Sequence, residues 1–543
     1  MKGDLHLHTT WSDGSLTTAE VLTAAKERGL THVAVTDHDT VAGQDEAVRI
    51  GDDLGLTVYR GIEISAIDPA SGKKVHILGY CFRADATHIR RLCEPLLQAR
   101  HEKSRSQIEA LTAHGYRISY DDIAAKAMTG GVIYKQHIMA HLIEQGYTDD
   151  IYSPLYKLLF TTGGICSGDI GYVDVFAAVK AIKDDGGIAV LAHPGHQNTY
   201  DLIDSLVKVG LDGIELYHEE HTVDDHIKIM EYANRHYLLL TGGSDIHGAY
   251  GSATAPGQYG CPEETLAILD GYCQKAFLDF TKEIAAQAGQ RLRLLAKQEK
   301  EVTLKGNDLS DLVTCHDQEI EQFLINAISA VYPGHSFLTE ENTSQSRLVT
   351  HYTWIIDPID GTTNFVQFGR DFAVSIALYR NGRPYVGVVY DVMAGNMYAA
   401  ASGMGAWLND QQLVKKQPSH TLSEAVVDCS LRTVQLFSEK FCIDLAGLAG
   451  YIRGHRSYGA ASLAICRVAA GELSAYLSAK LYLWDYAAAV IILAELEGDY
   501  CLLSGPAATP GINREQVVFL ACENSQLLTE LTYIINDKLS SNY

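Results

Sequence analysis

In the first 282 residues of this chain, histidine, aspartate and glutamate recur within or just after short apolar runs of strand length, often at or near their ends, and that placement constrains the fold more than any other feature. The runs lie at residues 32–36, 57–64, 74–82, 187–192, 213–217 and 237–241, after an opening strand in Asp4-Leu5-His6-Leu7-His8. Amphipathic stretches such as 18–28 and 173–184 separate several of them. Strand–helix alternation predicts a mostly parallel sheet, and a sheet of that kind closed into a barrel carries its functional residues at the carboxyl ends of its strands. His38, His193 and Asp245 fall at such ends.

In an extended strand, residues two apart share a face, so His6 and His8 aim both imidazoles at one point. A lone His-x-His more often satisfies backbone groups than holds an ion. Here it is joined by Ser12-Asp13-Gly14, Thr36-Asp37-His38-Asp39, Gly61-Ile62-Glu63-Ile64, Val75-His76-Ile77, His193-Pro194-Gly195 and Gly243-Ser244-Asp245-Ile246-His247. Nine candidate metal ligands result: His6, His8, Asp13, His38, Glu63, His76, His193, Asp245 and His247. Mixed imidazole and carboxylate donors suit Zn²⁺, Mn²⁺ or Fe²⁺ better than Mg²⁺ alone. Nine donors exceed the needs of one ion and suffice for two or three, with Glu63 as a bridge.

Composition sets the frame. A chain of 543 residues is too long for one ordinary core, and we expect domains at 1–282 and 283–543, joined through a helix at 281–298. Seventeen of the 22 histidines precede residue 283, so imidazole chemistry belongs to the first half. Eleven cysteines without a Cys-x-x-Cys pair fit reduced thiols. With no long apolar run and no signal-peptide pattern, a cytoplasmic protein without membrane partners is expected. A net charge of −24 argues against coating long nucleic acids.

The motif set of the first half resembles the polymerase and histidinol phosphatase (PHP) superfamily, and all nine positions match that family's trinuclear site. The resemblance implies a distorted β/α barrel of the seven-stranded type and phosphoester hydrolysis by metal-activated water, with His193 also in a catalytic role. An insertion at about 84–170 is helical by periodicity and rich in basic residues, including Arg90, Arg91, Arg100, Lys103 and Arg105. They suit either a solvated helix face or a lid over a phosphorylated substrate. Within the insertion, Gly131-Val132-Ile133-Tyr134-Lys135-Gln136-His137 resembles the Gly-Arg-Pro-His segment of PHP members that act on nucleotides and RNA 5′ ends. Lys135 stands where that segment has Arg, and Lys135 with His137 is expected to bind the substrate phosphate.

The second half centres on Trp354-Ile355-Ile356-Asp357-Pro358-Ile359-Asp360-Gly361-Thr362-Thr363-Asn364. A buried strand delivers two carboxylates into a bent turn, after which a helix starts. Carboxylates hold hard cations, and free N–H groups at a helix start hold phosphate. Asp317, Glu340-Glu341 and Trp484-Asp485 add oxygen donors, and an acidic cluster without imidazoles points to Mg²⁺. This pattern resembles the inositol monophosphatase family, which implies a layered αβαβα fold, two or three Mg²⁺ ions and lithium sensitivity. By position, Glu340, Asp357 and the Ile359 carbonyl hold one metal. Asp357, Asp360 and Asp485 hold a second, and Asp317 helps place a third. Thr362 with Glu340 or Asp317 orients water, while Gly361, Thr362 and Ala461 face the substrate. Thr339 and Glu497-Gly498 depart from the family's usual glycines, and Ser478 stands where inositol-specific members carry Glu, which weakens inositol preference and admits sugar phosphates or 3′,5′-bisphosphonucleotides.

The expectation is a bifunctional α/β phosphoesterase acting on small phosphorylated substrates, with nucleotides or short RNA as candidates for the first half and a homodimer as the form common among relatives of the second. The alternative is one active phosphatase whose other domain senses a phosphorylated ligand.

Overall fold

The computed structural model describes residues 1–127, 129–297, 302–304, 312–332, 334–341, 352–415, 421–504 and 515–538. The chain divides into two compact units, Met1–Asp270 and Gly271–Tyr543.

The first unit is built on one sheet with the path β1 (Gly3–Leu7), β2 (His32–Val35), β3 (Thr57–Ile67), β4 (Lys74–Tyr80), β6 (Ile188–Leu191), β7 (Gly213–Tyr217) and β8 (Leu239–Gly242), while β5 (Val173–Asp174) pairs with β3 off that path. The apolar runs therefore form strands where expected. Pairing is parallel for β1–β2, β2–β3, β6–β7 and β7–β8. The sheet is less uniformly parallel than strand–helix alternation implies, because β4 runs antiparallel to both β3 and β6. The cause is the short connection from Ile67 to Lys74, which has room only for a turn, so the chain reverses. The curled sheet is nearly closed by Leu7 bridging Ile246 just beyond β8, where His8 N–H donates to the Ile246 carbonyl at 3.1 Å. Strand interiors such as His32–Val35 and Ile188–Leu191 are buried throughout, as both-sided burial of a barrel wall requires. The helix Thr18–Glu27 is started by a Thr17/Glu20 capping box and Val175–Asp184 by the Asp174 side chain. The insertion is helical, with Thr87–Ala113, Tyr120–Lys126, Lys135–Glu144 and Pro154–Phe160 around a small core of its own that includes Leu111, Ile138 and Leu142.

In the second unit a seven-stranded sheet runs in the order Ser336–Thr339, Tyr352–Asp360, Ala373–Arg380, Arg383–Asp391, Asn396–Ala401, Gly405–Leu408 and Gln411–Gln412. A five-stranded sheet runs Gly454–Arg456, Val426–Cys429, Ala475–Leu481, Val517–Cys522 and Asp499–Ser504. Alternation along Tyr352–Asp360 sends Trp354 and Ile356 to one face, against Ala285, Leu292, Leu324 and Ile328, and Ile355 to the other, with the helices Ala461–Ala469 and Leu483–Glu495. Those helices also meet Phe519 and Ala521 of the smaller sheet, whose far face packs on Phe437, Leu527 and Leu531. The layers are αβαβα. The helix expected at 281–298 belongs to a longer one, Glu263–Leu295, and residue 298 lies outside the described residues. Among the described residues no helix is long and apolar enough to cross a membrane.

Candidate metal centres

Glu63, buried on β3, is the hub of the first unit's site. Its Oε2 lies 3.2 Å from His6 Nε2, 3.2 Å from His8 Nε2 and 3.2 Å from His38 Nδ1. Its Oε1 lies 2.7 Å from His76 Nδ1 and 3.0 Å from His193 Nε2. One carboxylate thus faces five imidazoles, three on one oxygen and two on the other, the disposition of a bridge. Asp245 Oδ1 is 3.0 Å from His8 Nε2 and 3.3 Å from His6 Nε2, and Asp13 Oδ1 is 3.4 Å from His247 Nε2. Three ion-sized groups emerge: His8, Asp13, His38 and His247; His6, His8, Glu63 and Asp245; and His38, Glu63 and His76. All nine sequence candidates meet here, His193 through Glu63.

The donor set fits cations. His6 Nε2, both ring nitrogens of His8, His38 Nδ1, His193 Nδ1, Asp13 Oδ1 and Asp245 Oδ1 are buried and make no hydrogen bond. Buried polar atoms are ordinarily paired, and so many orphans, most of them on residues of the three ion-sized groups, fit bound cations. Burial opposes charge on Glu63 and Asp245, yet the surrounding imidazoles hold both carboxylates well below the usual range. Burial also opposes charge on His8, but Asp245 and Glu63 push it up to about 10. Burial lowers His38 to about 3 and His193 to about 4. Asp39, His193 and Asp245 adopt left-handed backbone with φ of 61°, 24° and 48°, which non-glycine residues take only where their surroundings hold them there.

Supporting residues went unread in the sequence. Glu215 takes His6 Nδ1 on Oε1 at 3.0 Å and the His193 N–H on Oε2 at 2.9 Å. An acid inside the apolar run Gly213–Tyr217 was the available signal, because a buried carboxylate requires partners. His218, just after that strand, has Nε2 3.3 Å from Asp245 Oδ2. From the insertion, Tyr134 donates to the His38 carbonyl at 3.0 Å, Gln136 donates to Asp13 Oδ2 at 2.9 Å, and Arg100 donates to Asp39 Oδ2 at 2.7 Å. The expected phosphate pair sits beside this contact. His137 Nδ1 accepts from the Tyr134 N–H at 3.0 Å, its Nε2 is buried without a hydrogen bond, and burial lowers its pKa to about 4. Lys135 Nζ lies 5.9 Å from the Phe160 ring centroid, and burial lowers its pKa.

In the second unit the strand Tyr352–Asp360 ends among carboxylates. Burial and then the charges of Glu340, Asp360 and Asp485 raise the Asp357 pKa well above its ordinary value. Asp360 rises to about 6 through burial, against hydrogen bonds from Ser462 and Ala461. Asp357 Oδ1 accepts the Ile359 N–H at 3.0 Å, and Asp485 Oδ2 accepts the Tyr482 N–H at 2.7 Å. Thr362 donates to the Ile359 carbonyl at 3.0 Å and has Asp317 Oδ1 at 3.5 Å. The Ala461 N–H is committed to Asp360 Oδ1 at 3.0 Å. Gly361, φ 86°, turns the chain into the helix Thr362–Gln367. Ser478 is buried, with Oγ 3.3 Å from the Lys480 N–H. Acidic side chains crowded into a buried turn repel one another unless protons or cations intervene.

Family comparison decides what these centres belong to. The PHP domain model matches residues 4–301 and the inositol monophosphatase family model matches residues 274–536. The chain belongs to both families. Phosphoribosyl 1,2-cyclic phosphate 1,2-diphosphodiesterase of Eggerthella lenta is 45% identical over 248 residues, covering 46% of this chain and 95% of that protein. Inositol-1-monophosphatase of Bacillus subtilis is 37% identical over 235 residues, covering 42% of this chain and 87% of that protein. Inositol monophosphatase 1 of Homo sapiens is 40% identical over 233 residues, covering 41% and 81%. The PHP–inositol monophosphatase chain is therefore a phosphoester hydrolase of metal-dependent families. Among the described residues, the three ion-sized groups lie in its PHP part.

Proposed function

We propose that this chain is a bifunctional phosphoesterase, with a PHP centre that opens a cyclic phosphodiester on a phosphorylated sugar and an inositol monophosphatase-type centre that removes a phosphate monoester from a small polyol or sugar. We take the boundary near residue 282, which falls within the helix Glu263–Leu295 and within the 274–301 overlap of the two family matches. For the PHP part, the reading rests on the bridging geometry of Glu63 and on the diphosphodiesterase relative. A sugar cyclic phosphate is favoured over an RNA 5′ end because that relative's substrate is a phosphoribosyl compound.

His6, His8, Asp13, His38, Glu63, His76, His193, Asp245 and His247 would hold two or three Mn²⁺, Zn²⁺ or Fe²⁺ ions. Asp317, Glu340, Asp357, Asp360, Asp485 and the Ile359 carbonyl would hold two or three Mg²⁺ ions. When bound, such ions activate water and neutralise charge on phosphoryl oxygens. The protein's own contribution is positional. Glu215 fixes His6 and the His193 backbone, Lys135 and His137 supply donors toward the phosphate, and Thr362 with Asp317 or Glu340 orients the attacking water in the second part. Ser478, short and uncharged, leaves that pocket without an added carboxylate and so favours sugar phosphates alongside inositol phosphate.

The test is ring opening of phosphoribosyl 1,2-cyclic phosphate, followed as loss of the cyclic ester by phosphorus NMR, and phosphate release from inositol 1-phosphate, by protein supplied with Mn²⁺ and Mg²⁺, with and without lithium. Both substrates should be hydrolysed and lithium should silence only the second reaction. Turnover of one substrate alone would leave the other part as a sensor and reject bifunctionality.

A further inference from the structure

The two aspartates of the PHP centre divide their oxygens in the same way. Asp245 turns Oδ1 to His8 and His6, at 3.0 and 3.3 Å, and that atom makes no hydrogen bond. Its Oδ2 faces His218 Nε2 at 3.3 Å. The His218 tautomer follows from its other nitrogen: Nδ1 accepts the Glu220 N–H at 3.2 Å, so in the neutral ring the proton is on Nε2 and is donated to Asp245. Asp13 turns Oδ1 to His247 Nε2 at 3.4 Å, again without a hydrogen bond, and gives Oδ2 to the Gln136 amide at 2.9 Å. In each case one oxygen lies against the imidazole cluster without a hydrogen bond and the other has a donor outside the nine ligands as its nearest partner, Asp13 Oδ2 having His38 Nε2 farther off at 3.9 Å. One donor follows β7 and the other comes from the insertion, so the matched arrangement does not arise from a shared local motif.

A carboxylate whose two oxygens are both free can grip one ion with both, filling a coordination position; a donor that engages one oxygen orients the group and competes with the ion for that oxygen, favouring one-oxygen binding. We propose that His218 and Gln136 are positioning residues that hold Asp245 and Asp13 to one-oxygen binding, keeping coordination positions open for water and a phosphoryl oxygen. The inference rests on the metal reading of this centre and goes beyond it, because it gives the insertion a part in shaping the ion's surroundings.

The experiment loads the full-length protein with Co²⁺, whose visible absorption weakens as coordination number rises, and titrates it with inorganic phosphate. His218→Phe and Gln136→Met should keep the wild-type Co²⁺ stoichiometry in the PHP part, absorb more weakly, and bind phosphate at least about tenfold less tightly. His218→Gln, which restores an N–H donor, should return toward the wild-type spectrum. Wild-type spectra and phosphate affinity in both donor-free variants would overturn the proposal. So would loss of Co²⁺ itself, since the residues would then serve to retain the ion and not to keep its positions open. If His218→Phe does not fold, Gln136→Met, at a half-buried helix position, decides the matter alone. Wild-type protein that takes up no Co²⁺ would instead reject the metal reading, a failure visible before any variant is made.

Discussion

Replacing Arg100 by Met removes one side of a buried ion pair between the insertion and the barrel. Arg100 sits on the helix Thr87–Ala113, with Nη2 2.7 Å from Asp39 Oδ2 and 3.3 Å from Ser65 Oγ, and its guanidinium lies 4.8 Å from the Tyr134 ring centroid. Asp39 is fully buried, next to His38, and its Oδ1 accepts the Ser65 N–H at 2.7 Å. At that separation and an effective dielectric constant of 20, the charges attract by about 6 kcal/mol, much of it offset by the cost of desolvating both. Deleting one partner leaves a buried charge uncompensated and costs about 3–5 kcal/mol. For a domain of this size, that lowers the thermal midpoint by roughly 10 °C. Burial already raises the Asp39 pKa against Arg100, so the folded state binds this proton more readily than the unfolded state. The variant's deficit should therefore be largest at neutral pH and shrink as pH falls, because a protonated Asp39 needs no counter-charge. The assay is thermal unfolding of wild type, Arg100→Met, Asp39→Asn and the double variant at pH 7.5 and pH 5, following the transition that Mn²⁺ shifts. The double variant should recover more than half of the loss. A cost below about 1 kcal/mol, or a double variant no better than Arg100→Met, would refute the reasoning.

Glu215→Gln removes the carboxylate that orients His6, so metal affinity of the PHP centre should fall about 10- to 100-fold in a chelator competition; unchanged affinity would contradict that role. In metal-free protein, the raised pKa values of Asp357 and Asp360 mean that these two groups' contribution to the second unit's stability is fully present below the unfolded carboxylate pKa of about 4 and is lost as pH climbs through about 6, where Asp360 titrates, and beyond it for Asp357. Calorimetry across pH should show this decline and its reversal by Mg²⁺ at pH 7.5, whereas a midpoint indifferent to Mg²⁺ would argue against a cation among these carboxylates. Gly130→Ala would place a Cβ 2.2 Å from the Trp11 carbonyl oxygen, so it should cost about 1–3 kcal/mol in thermal unfolding and loosen the insertion beside Asp13.

What was legible in the sequence was whatever a local pattern carries. His6 and His8 are related by the two-residue repeat of a strand, and Asp357 and Asp360 by a Pro- and Gly-bent turn, so each pair could be read without knowing the rest of the chain. Short apolar runs ending in His38, His193 and Asp245 likewise announced strands with chemistry at one end. The reversal at β4 was less legible, because alternation of elements suggests parallel strands and only the length of the 67–74 connection argues otherwise. Glu215, His218, Gln136 and Asp39 act across sequence separations of 27 to 209 residues, and nothing near them in the chain names their partners. The division of labour on Asp13, one oxygen to His247 and the other to Gln136, exists only after the insertion has folded onto the barrel.

The most direct measurement is steady-state turnover by wild type, Asp245→Asn and Asp360→Asn, followed as loss of the cyclic ester of phosphoribosyl 1,2-cyclic phosphate by phosphorus NMR and as phosphate release from inositol 1-phosphate, in buffer containing both Mn²⁺ and Mg²⁺. Two independent centres predict that Asp245→Asn abolishes only the first reaction and Asp360→Asn only the second. One substitution silencing both reactions, or neither reaction responding to its own substitution, would contradict the account.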